Sequence, residues 1–279
     1  MRVARHAVGD AEDEGVMGIE GFSIAARHIG SILASEEGQL AVRKLEDIQF
    51  LTPFKFYRNQ PRRINWIALA LREETGLVAY VSLESTRVLL TKTVEHLRHF
   101  SGKVILERQA SAPREVMTQA PGWNGSYTVK ADDIYRLYFH GPAFQVLEGV
   151  QRSGETVLGK LNKSLPAFTG GDQVLLSTPT LVELCFQTAG IWEVGKTGTL
   201  ALPRSIQSLT LYRQSINGAA IYAEVKPVRT RDGAFSFDAR VVDAHGRLYL
   251  EMKDYRTTPL PYAAQKELLM PLRGLFETS

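Results

Sequence analysis

The chain has 279 residues, 44% of them hydrophobic and 23% charged, which is ordinary for a soluble globular protein with ample core. Its 33 Lys and Arg against 30 Asp and Glu leave a net charge of +3, too small to indicate nucleic acid. One cysteine, Cys185, excludes an internal disulfide and a cysteine-based metal cluster and fits a cytoplasmic protein. No apolar run approaches the roughly 18 residues that cross a bilayer, so no membrane association is expected.

The first part of the chain predicts one helix followed by strands. Apolar residues recur at three- and four-residue steps from Val16 to about Leu33, which is typical of a mostly buried helix. Four segments then alternate or run apolar between turn signals, and they predict strands at 45–57, 63–72, 77–86 and 103–108. These elements define a first unit at residues 1–108. Residues 109–131, rich in Pro, Gly and Ser/Thr/Asn, predict a loop-rich linker.

The second unit, residues 132–279, repeats this order after a short helix from Asp132 to Tyr138. Its longer apolar helix runs from about Thr180 to Val194. Strands are predicted before this helix at 144–152 and 155–162, and after it at 203–213, 219–229, 234–243 and 247–257. The tail after Pro261 is amphipathic and predicts a loose terminal helix.

The two units also share a short sequence. Residues 45–52 (LEDIQFLT) resemble residues 203–210 (PRSIQSLT), and both segments follow their helix at a similar distance. Such spaced self-similarity indicates two copies of one structural unit. A helix wrapped by a strongly curved antiparallel sheet is a hot dog fold, so the sequence predicts an α+β double hot dog.

Two segments of the second unit carry the strongest functional signal. Glu183 and Gln187 lie four residues apart on the apolar helix, so their side chains share one face. A carboxylate on an apolar stripe is costly unless it is paired, protonated or used in catalysis. About forty residues earlier, His140-Gly141-Pro142 predicts a tight turn preceded by a histidine. The alternatives are a salt-bridged structural glutamate and a structural turn histidine.

These segments carry a family resemblance. The stretches YFHGPAFQVLEGV (138–150) and TPTLVELCFQTAGIW (178–192) resemble the dehydratase domains of polyketide synthases and polyunsaturated fatty acid synthases. Residues 16–22 (VMGIEGF) resemble the usual start of the first hot dog helix. The resemblance implies removal of water from a β-hydroxyacyl phosphopantetheine thioester on an acyl carrier protein, giving the 2-enoyl thioester in polyketide or fatty acid biosynthesis. It implies no metal or redox cofactor and other synthase domains as partners, and it allows a homodimer.

The resemblance also implies roles for individual residues. In the family, a histidine of the first hot dog faces an aspartate of the second helix across a substrate tunnel. Glu183 and Gln187 occupy the family's Asp-x-x-x-Gln positions, and His140 stands where Tyr-Gly-Pro has a tyrosine that helps to position the acid. His6 is the candidate base, although its motif needs a one-residue deletion and has Glu14 in place of proline.

The chemistry fits these assignments. A neutral histidine suits removal of the α-proton, which the thioester acidifies. The acid must be protonated near neutral pH, which burial on an apolar helix favours. Backbone N–H groups near Gly15 and Val16, where the first helix is predicted to start, are the candidates to stabilise the enolate-like thioester oxygen.

Other functions stay open at this point. If His6 is an incidental residue on a frayed terminus, the chain is a catalytically impaired double hot dog that binds an acyl chain or serves as a structural domain. Product-template-like cyclisation and thioester hydrolysis are further alternatives for this fold. The fold alone does not choose among these reactions. His96 and His99 are predicted to be exposed near a turn.

Overall fold

The computed structural model describes residues 19, 22–28, 40–53, 65–73, 76–88, 91–108, 115–165, 178–213, 218–230 and 234–276. Within these ranges eleven strands form one sheet: β1 (Leu40–Phe50), β2 (Asn65–Glu73), β3 (Gly76–Val88), β4 (Val94–Arg108), β5 (Val129–Lys130), β6 (Leu147–Ser153), β7 (Thr156–Leu161), β8 (Thr199–Leu211), β9 (Ile221–Arg229), β10 (Phe235–Asp243) and β11 (Leu248–Ala263). The helices are α1 (22–28), α2 (Ala131–Leu137), α3 (Pro179–Thr197) and α4 (Lys266–Leu269). None of these helices has the length and hydrophobicity needed to cross a bilayer.

The sheet runs in the order β2-β3-β4-β1-β8-β11-β10-β9-β7-β6-β5, and its strands pair antiparallel. The first four strands belong to the first unit. Its edge strand β2 alternates as predicted, with Trp66, Ala68 and Ala70 on the more buried face. Phe22 of α1 packs edge-on against Trp66 with ring centroids 5.6 Å apart, so α1 lies on that face.

Helix α3 is the core of the second unit, and 13 of its 19 residues are buried. Pro179 lies in its first turn, where the missing N–H costs no hydrogen bond. The helix ends at Gly198, whose φ of 74° is favourable for glycine and whose N–H donates to Val194 O at 2.7 Å. A Cβ on Gly159 of β7 would overlap Thr188 Oγ1, so the absent side chain lets α3 approach the sheet closely.

The two units join where β1 pairs with β8. The repeated segments lie in these two strands, and the equivalent residues Ile48 and Ile206 are direct partners. Pairing of equivalent residues is the geometry that two copies of one unit produce around a two-fold axis. Phe50 of β1 also contacts Phe186 of α3, with ring centroids 6.2 Å apart, so the seam brings the first unit's sheet against the second unit's helix.

The described part of the predicted linker is an extended segment that follows the β10–β11 hairpin. Met117 forms a β-bridge with Arg247, and Thr118 N–H donates to Gly246 O at 2.8 Å. A Cβ on Gly246 would overlap the carbonyl oxygen of Thr118, and its φ of 82° also favours glycine. The linker is therefore attached to the second unit. The domain boundaries themselves stay a prediction.

Three sequence-based expectations were wrong. Strand β4 begins at Val94 rather than near residue 103, and His99 is buried within it at 1% exposure. The ring nitrogens of His99 lie 2.7 Å from Ser85 Oγ and 2.9 Å from Thr52 O, so these polar contacts satisfy a buried imidazole. His96 is exposed as expected, but it is a strand residue.

The terminal segment is also not loose. Leu272 and Leu275 are each 1% exposed, and the ring of Phe276 packs edge-on against Trp192 of α3. The 3-10 turn Met270–Leu275 therefore forms part of the second unit's core, and the partly buried Leu268 and Leu269 of α4 pack against that core.

Candidate active site

The site is built around Glu183, whose side chain is fully buried on α3. Its Oε1 accepts a hydrogen bond from Gln187 Nε2 at 2.8 Å, because the two residues are one helical turn apart. The same oxygen lies 3.2 Å from Nε2 of His140, and both side chains are fully excluded from solvent. The structure thus brings together three of the residues that the sequence singled out.

The Gln187 side chain is held by three groups that converge from different elements. Its Nε2 also donates to the backbone oxygen of Phe144 at 2.7 Å. Its Oε1 accepts from the hydroxyl of Tyr135 on α2 at 2.8 Å. The Tyr135 oxygen in turn accepts from Leu147 N–H at 2.6 Å. A buried amide with both protons and its oxygen engaged is rigid, because any rotation breaks a hydrogen bond in a site shielded from solvent.

His140 is placed by the turn between α2 and β6. Helix α2 ends at Leu137, and Pro142–Phe144 forms a 3-10 turn in which Phe144 N–H donates to Gly141 O at 2.9 Å. Gly141 and Pro142 therefore act as backbone of the turn. The imidazole stacks on the ring of Phe139, with centroids 5.7 Å apart, and this packing fixes its direction toward α3.

The remaining predicted residues, His6, Gly15 and Val16, lie outside the described residues. The assignment of the base and of the oxyanion N–H groups therefore stays a prediction. The described residues form the wall of the site that supplies the carboxyl group.

The surroundings of Glu183 oppose further negative charge. Burial raises the pKa of the Cys185 thiol, and the neighbouring Glu183 carboxylate adds to the effect. Burial also raises the pKa of the Tyr135 phenol. Cys185 therefore remains a thiol and packs as a small apolar residue, as expected from the sequence, rather than acting as a nucleophile.

One oxygen of the Glu183 carboxyl is not engaged by a hydrogen bond. Among the described residues, Glu183 Oε2 has no hydrogen-bond partner although it is buried. The described ranges contain no group of three His, Cys, Asp or Glu side chains arranged to hold a metal ion. The arrangement can deliver or accept one proton at Oε2, and the other oxygen of the carboxyl is used for positioning.

Sequence reasoning missed Tyr135. It was placed within the predicted helix at 132–138, but nothing in the local pattern assigned it a partner 52 residues away. A tyrosine on an otherwise short polar helix is a weak signal. Only the hydrogen bond between α2 and α3 shows that its hydroxyl belongs to the site.

A helix packed on each half of one continuous antiparallel sheet defines a double hot dog protein. The model of the family described as "Polyketide synthase dehydratase N-terminal domain" matches residues 117–267. The chain therefore belongs to the polyketide synthase dehydratase family, whose members are hydro-lyases that dehydrate β-hydroxyacyl intermediates of polyketide biosynthesis. The family, reaction and enzyme class predicted from the sequence are confirmed at this level.

Solved structures share the fold. The chain is similar to a trans-AT polyketide synthase dehydratase domain from Brevibacillus brevis, with a TM-score of 0.66 and 20% identity over 88% of this chain and 85% of that one. It is also similar to the dehydratase domain from the CurF module of the curacin polyketide synthase, with a TM-score of 0.61 and 18% identity over 85% and 82% of the two chains. No curated protein sequence matches the chain significantly. The predicted double hot dog is confirmed.

Proposed function

We propose that this chain removes water from a β-hydroxyacyl thioester carried on an acyl carrier protein, and that Glu183 is the acid that protonates the leaving hydroxyl. One observation carries the assignment of the acid. Gln187 and His140 approach Glu183 at Oε1, and Oε2 has no hydrogen-bond partner among the described residues. A carboxyl group held by one oxygen presents the other to a substrate.

The acid step needs a proton on the Glu183 carboxyl, which lies in a site shielded from solvent. Hydroxide is a poor leaving group. Transfer of the Oε2 proton to the β-hydroxyl lets the carbon–oxygen bond break with release of neutral water and leaves a carboxylate that Gln187 stabilises through its N–H.

The base step is proposed for His6. The imidazole takes one proton from the α-carbon, the electron pair forms the C2=C3 double bond, and the hydroxyl leaves with the proton from Glu183. One proton gained by His6 and one lost by Glu183 balance the reaction, and proton exchange with solvent restores both groups. The N–H groups of Gly15 and Val16 are our candidates for the thioester oxygen.

Variants of a relative give an analogy. Inactive variants of the CurK dehydratase domain replace a histidine by phenylalanine or an aspartate by asparagine. That pattern supports a histidine and a carboxylic acid as the catalytic pair here, with Glu183 in the acidic role. We propose that the reaction uses no metal or redox cofactor, because it consists of two proton transfers. The phosphopantetheine arm is part of the substrate, since it belongs to the acyl carrier protein.

The proposed partners follow from the family. Relatives such as the CurF domain are parts of polyketide synthase modules, which supports an acyl carrier protein and further synthase domains as partners. We also propose a role in fatty acid biosynthesis, a homodimer and a cytoplasmic location. The family match does not test these three points.

The test uses a 3-hydroxyacyl pantetheine thioester and the same acyl group on a holo acyl carrier protein. The mass loss of one water and the appearance of the 2-enoyl thioester are followed with time. Glu183→Gln keeps the size and the contact with Gln187 but removes the acid proton, and we expect kcat to fall on the order of 10²- to 10⁴-fold. We expect His6→Ala to lower kcat by a factor in the same range.

The matched control is Glu193→Gln, which changes the other buried glutamate of the same helix. Glu193 accepts a hydrogen bond from Thr257 Oγ1 and lies ten residues beyond Glu183, about 15 Å along the helix axis. The kcat of the Glu193→Gln variant should therefore stay at the wild-type level. Full activity of Glu183→Gln would remove the assignment of the acid. A wild-type protein that binds the acyl carrier without releasing water would instead be an acyl-binding or structural domain, and cyclised or free-acid products would identify the cyclase or hydrolase alternatives.

A further inference from the structure

Tyr135 forms one end of a directed chain of hydrogen bonds that leads to the carboxyl of Glu183. Leu147 N–H lies 2.6 Å from the Tyr135 hydroxyl oxygen and can act only as a donor. The phenol therefore accepts this bond, and its own proton is available for Gln187 Oε1 at 2.8 Å. A backbone N–H, whose direction cannot be reversed, thus sets the direction of the chain.

This direction fixes the amide of Gln187. With Oε1 facing the phenol, both protons of Nε2 point the other way, one to Phe144 O at 2.7 Å and one to Glu183 Oε1 at 2.8 Å. A flipped amide would place an N–H against the phenol and a carbonyl oxygen against Phe144 O, which repels it. The flip is therefore unfavourable, and the Tyr135 hydroxyl adds to the penalty because its proton would lose its acceptor.

The oriented amide decides where the acid proton resides. Oε1 of Glu183 already receives an N–H, so a proton on that oxygen would meet the amide proton. The protonated form of the carboxyl consequently carries its hydrogen on Oε2, the oxygen without a hydrogen-bond partner among the described residues.

We infer that Tyr135 is a positioning residue for the dehydration, because its hydroxyl orients Gln187 and thereby places the acid proton on Glu183 Oε2. This inference rests on the proposed function, in which Oε2 delivers that proton. Tyr135 acts through Gln187, and among the described residues its hydroxyl bonds Gln187 and Leu147 and makes no hydrogen bond to Glu183.

The test compares Tyr135→Phe with Tyr138→Phe. Both remove a hydroxyl that bonds Gln187, but Tyr138 OH donates to the backbone oxygen of Gln187 at 3.2 Å and leaves the side chain alone. We expect Tyr135→Phe to lower kcat about tenfold to a hundredfold with KM within about twofold, and Tyr138→Phe to keep kcat within about threefold. Equal losses in the two variants would show a structural role and overturn the inference.

A double-mutant cycle gives a second readout. If Tyr135 acts through the amide, adding Tyr135→Phe to Gln187→Ala should change kcat by less than about twofold, because the group it orients is already absent. Additive losses would overturn the inference. Glu183→Gln is measured in parallel. An active Glu183→Gln variant would refute the assignment of Glu183 as the acid. An inactive Glu183→Gln variant together with a fully active Tyr135→Phe variant would refute only the role of Tyr135.

A measurement on the wild-type protein covers the case in which Tyr135→Phe does not fold. In protein labelled with ¹⁵N-glutamine and otherwise deuterated except at tyrosine, the side-chain amide protons of Gln187 should show no nuclear Overhauser contact with the Tyr135 ring edge. Strong contacts between those protons and the ring would mean that Nε2 faces the phenol. The amide would then have the opposite orientation, and the inference would be wrong.

Discussion

Shortening Glu183 to aspartate tests whether the position of the carboxyl sets the rate. Removal of one methylene retracts the group by roughly 1 Å, an error that can cost on the order of a hundredfold in rate. The 2.8 Å bond to Gln187 and the 3.2 Å approach to His140 would both lengthen beyond hydrogen-bond range. We therefore expect Glu183→Asp to lower kcat about a hundredfold, which is about 2.7 kcal/mol of activation free energy.

A second change should recover part of this loss. A tyrosine hydroxyl reaches farther from the backbone than an imidazole nitrogen, so His140→Tyr can close the gap that Glu183→Asp opens. The resemblance described above implies this pairing of Tyr with Asp. A coupling of about 1.4 kcal/mol between contacting residues corresponds to a tenfold recovery in kcat for the double variant. His140→Tyr alone should be slower than wild type, because the His140 side chain is fully buried and a larger ring crowds Glu183.

The assay is steady-state dehydration of a 3-hydroxyacyl pantetheine thioester, with thermal unfolding of each variant to show that it is folded. Wild-type kcat in Glu183→Asp would refute the argument that carboxyl position limits the rate. A double variant that is no faster than Glu183→Asp would refute the coupling between residues 140 and 183.

Three further predictions concern stability and are read from urea unfolding. Gly159→Ala forces a methyl into Thr188 and should lower the free energy of unfolding by about 1–3 kcal/mol. Its control is Gly141→Ala, which has open space around the Cβ position and should change that free energy by no more than about 0.5 kcal/mol. Equal effects would contradict the close approach of α3 to the sheet. Burial raises the pKa of Glu193 above its usual value of 4.5, so the folded state holds this proton more tightly, and that contribution to stability is present at low pH and lost as the pH rises. Glu193→Gln should therefore gain on wild type as the pH rises above 4.5, and a pH-independent difference would argue against the shift. Leu272→Ala should lower the free energy of unfolding by about 2–5 kcal/mol, because Leu272 is buried in the core. Met270 is half-exposed, so Met270→Ala should change it little. A small loss in Leu272→Ala would show that the terminal segment is loose.

The sequence predicted the features of the site that depend on local spacing. Glu183 and Gln187 were placed on one face because a helical turn brings residues four apart together, and the structure shows their hydrogen bond. The fold followed from two repeated units, since periodicity and the 45–52 repeat are local properties of the chain.

The remaining features depend on contacts between distant segments. The approach of His140 to Glu183 and the bond from Tyr135 to Gln187 depend on how α2 and its turn pack against α3. Strand β4 was predicted too short because its first half is polar. Ion pairs such as Arg98 with Glu84 cover its outer face, and buried His99 replaces an apolar residue on the inner one.

The seam between β1 and β8 has a consequence for the integrity of the molecule. Leu45 and Ile48 on one side and Ile206 and Leu209 on the other are fully buried there, and the backbone groups of each strand pair with the other. A chain cut between the two units would leave each fragment with an unpaired strand backed by apolar side chains, which favours aggregation. The halves are thus obligate partners, and fragments produced together should reassemble through this strand pair more readily than either folds alone.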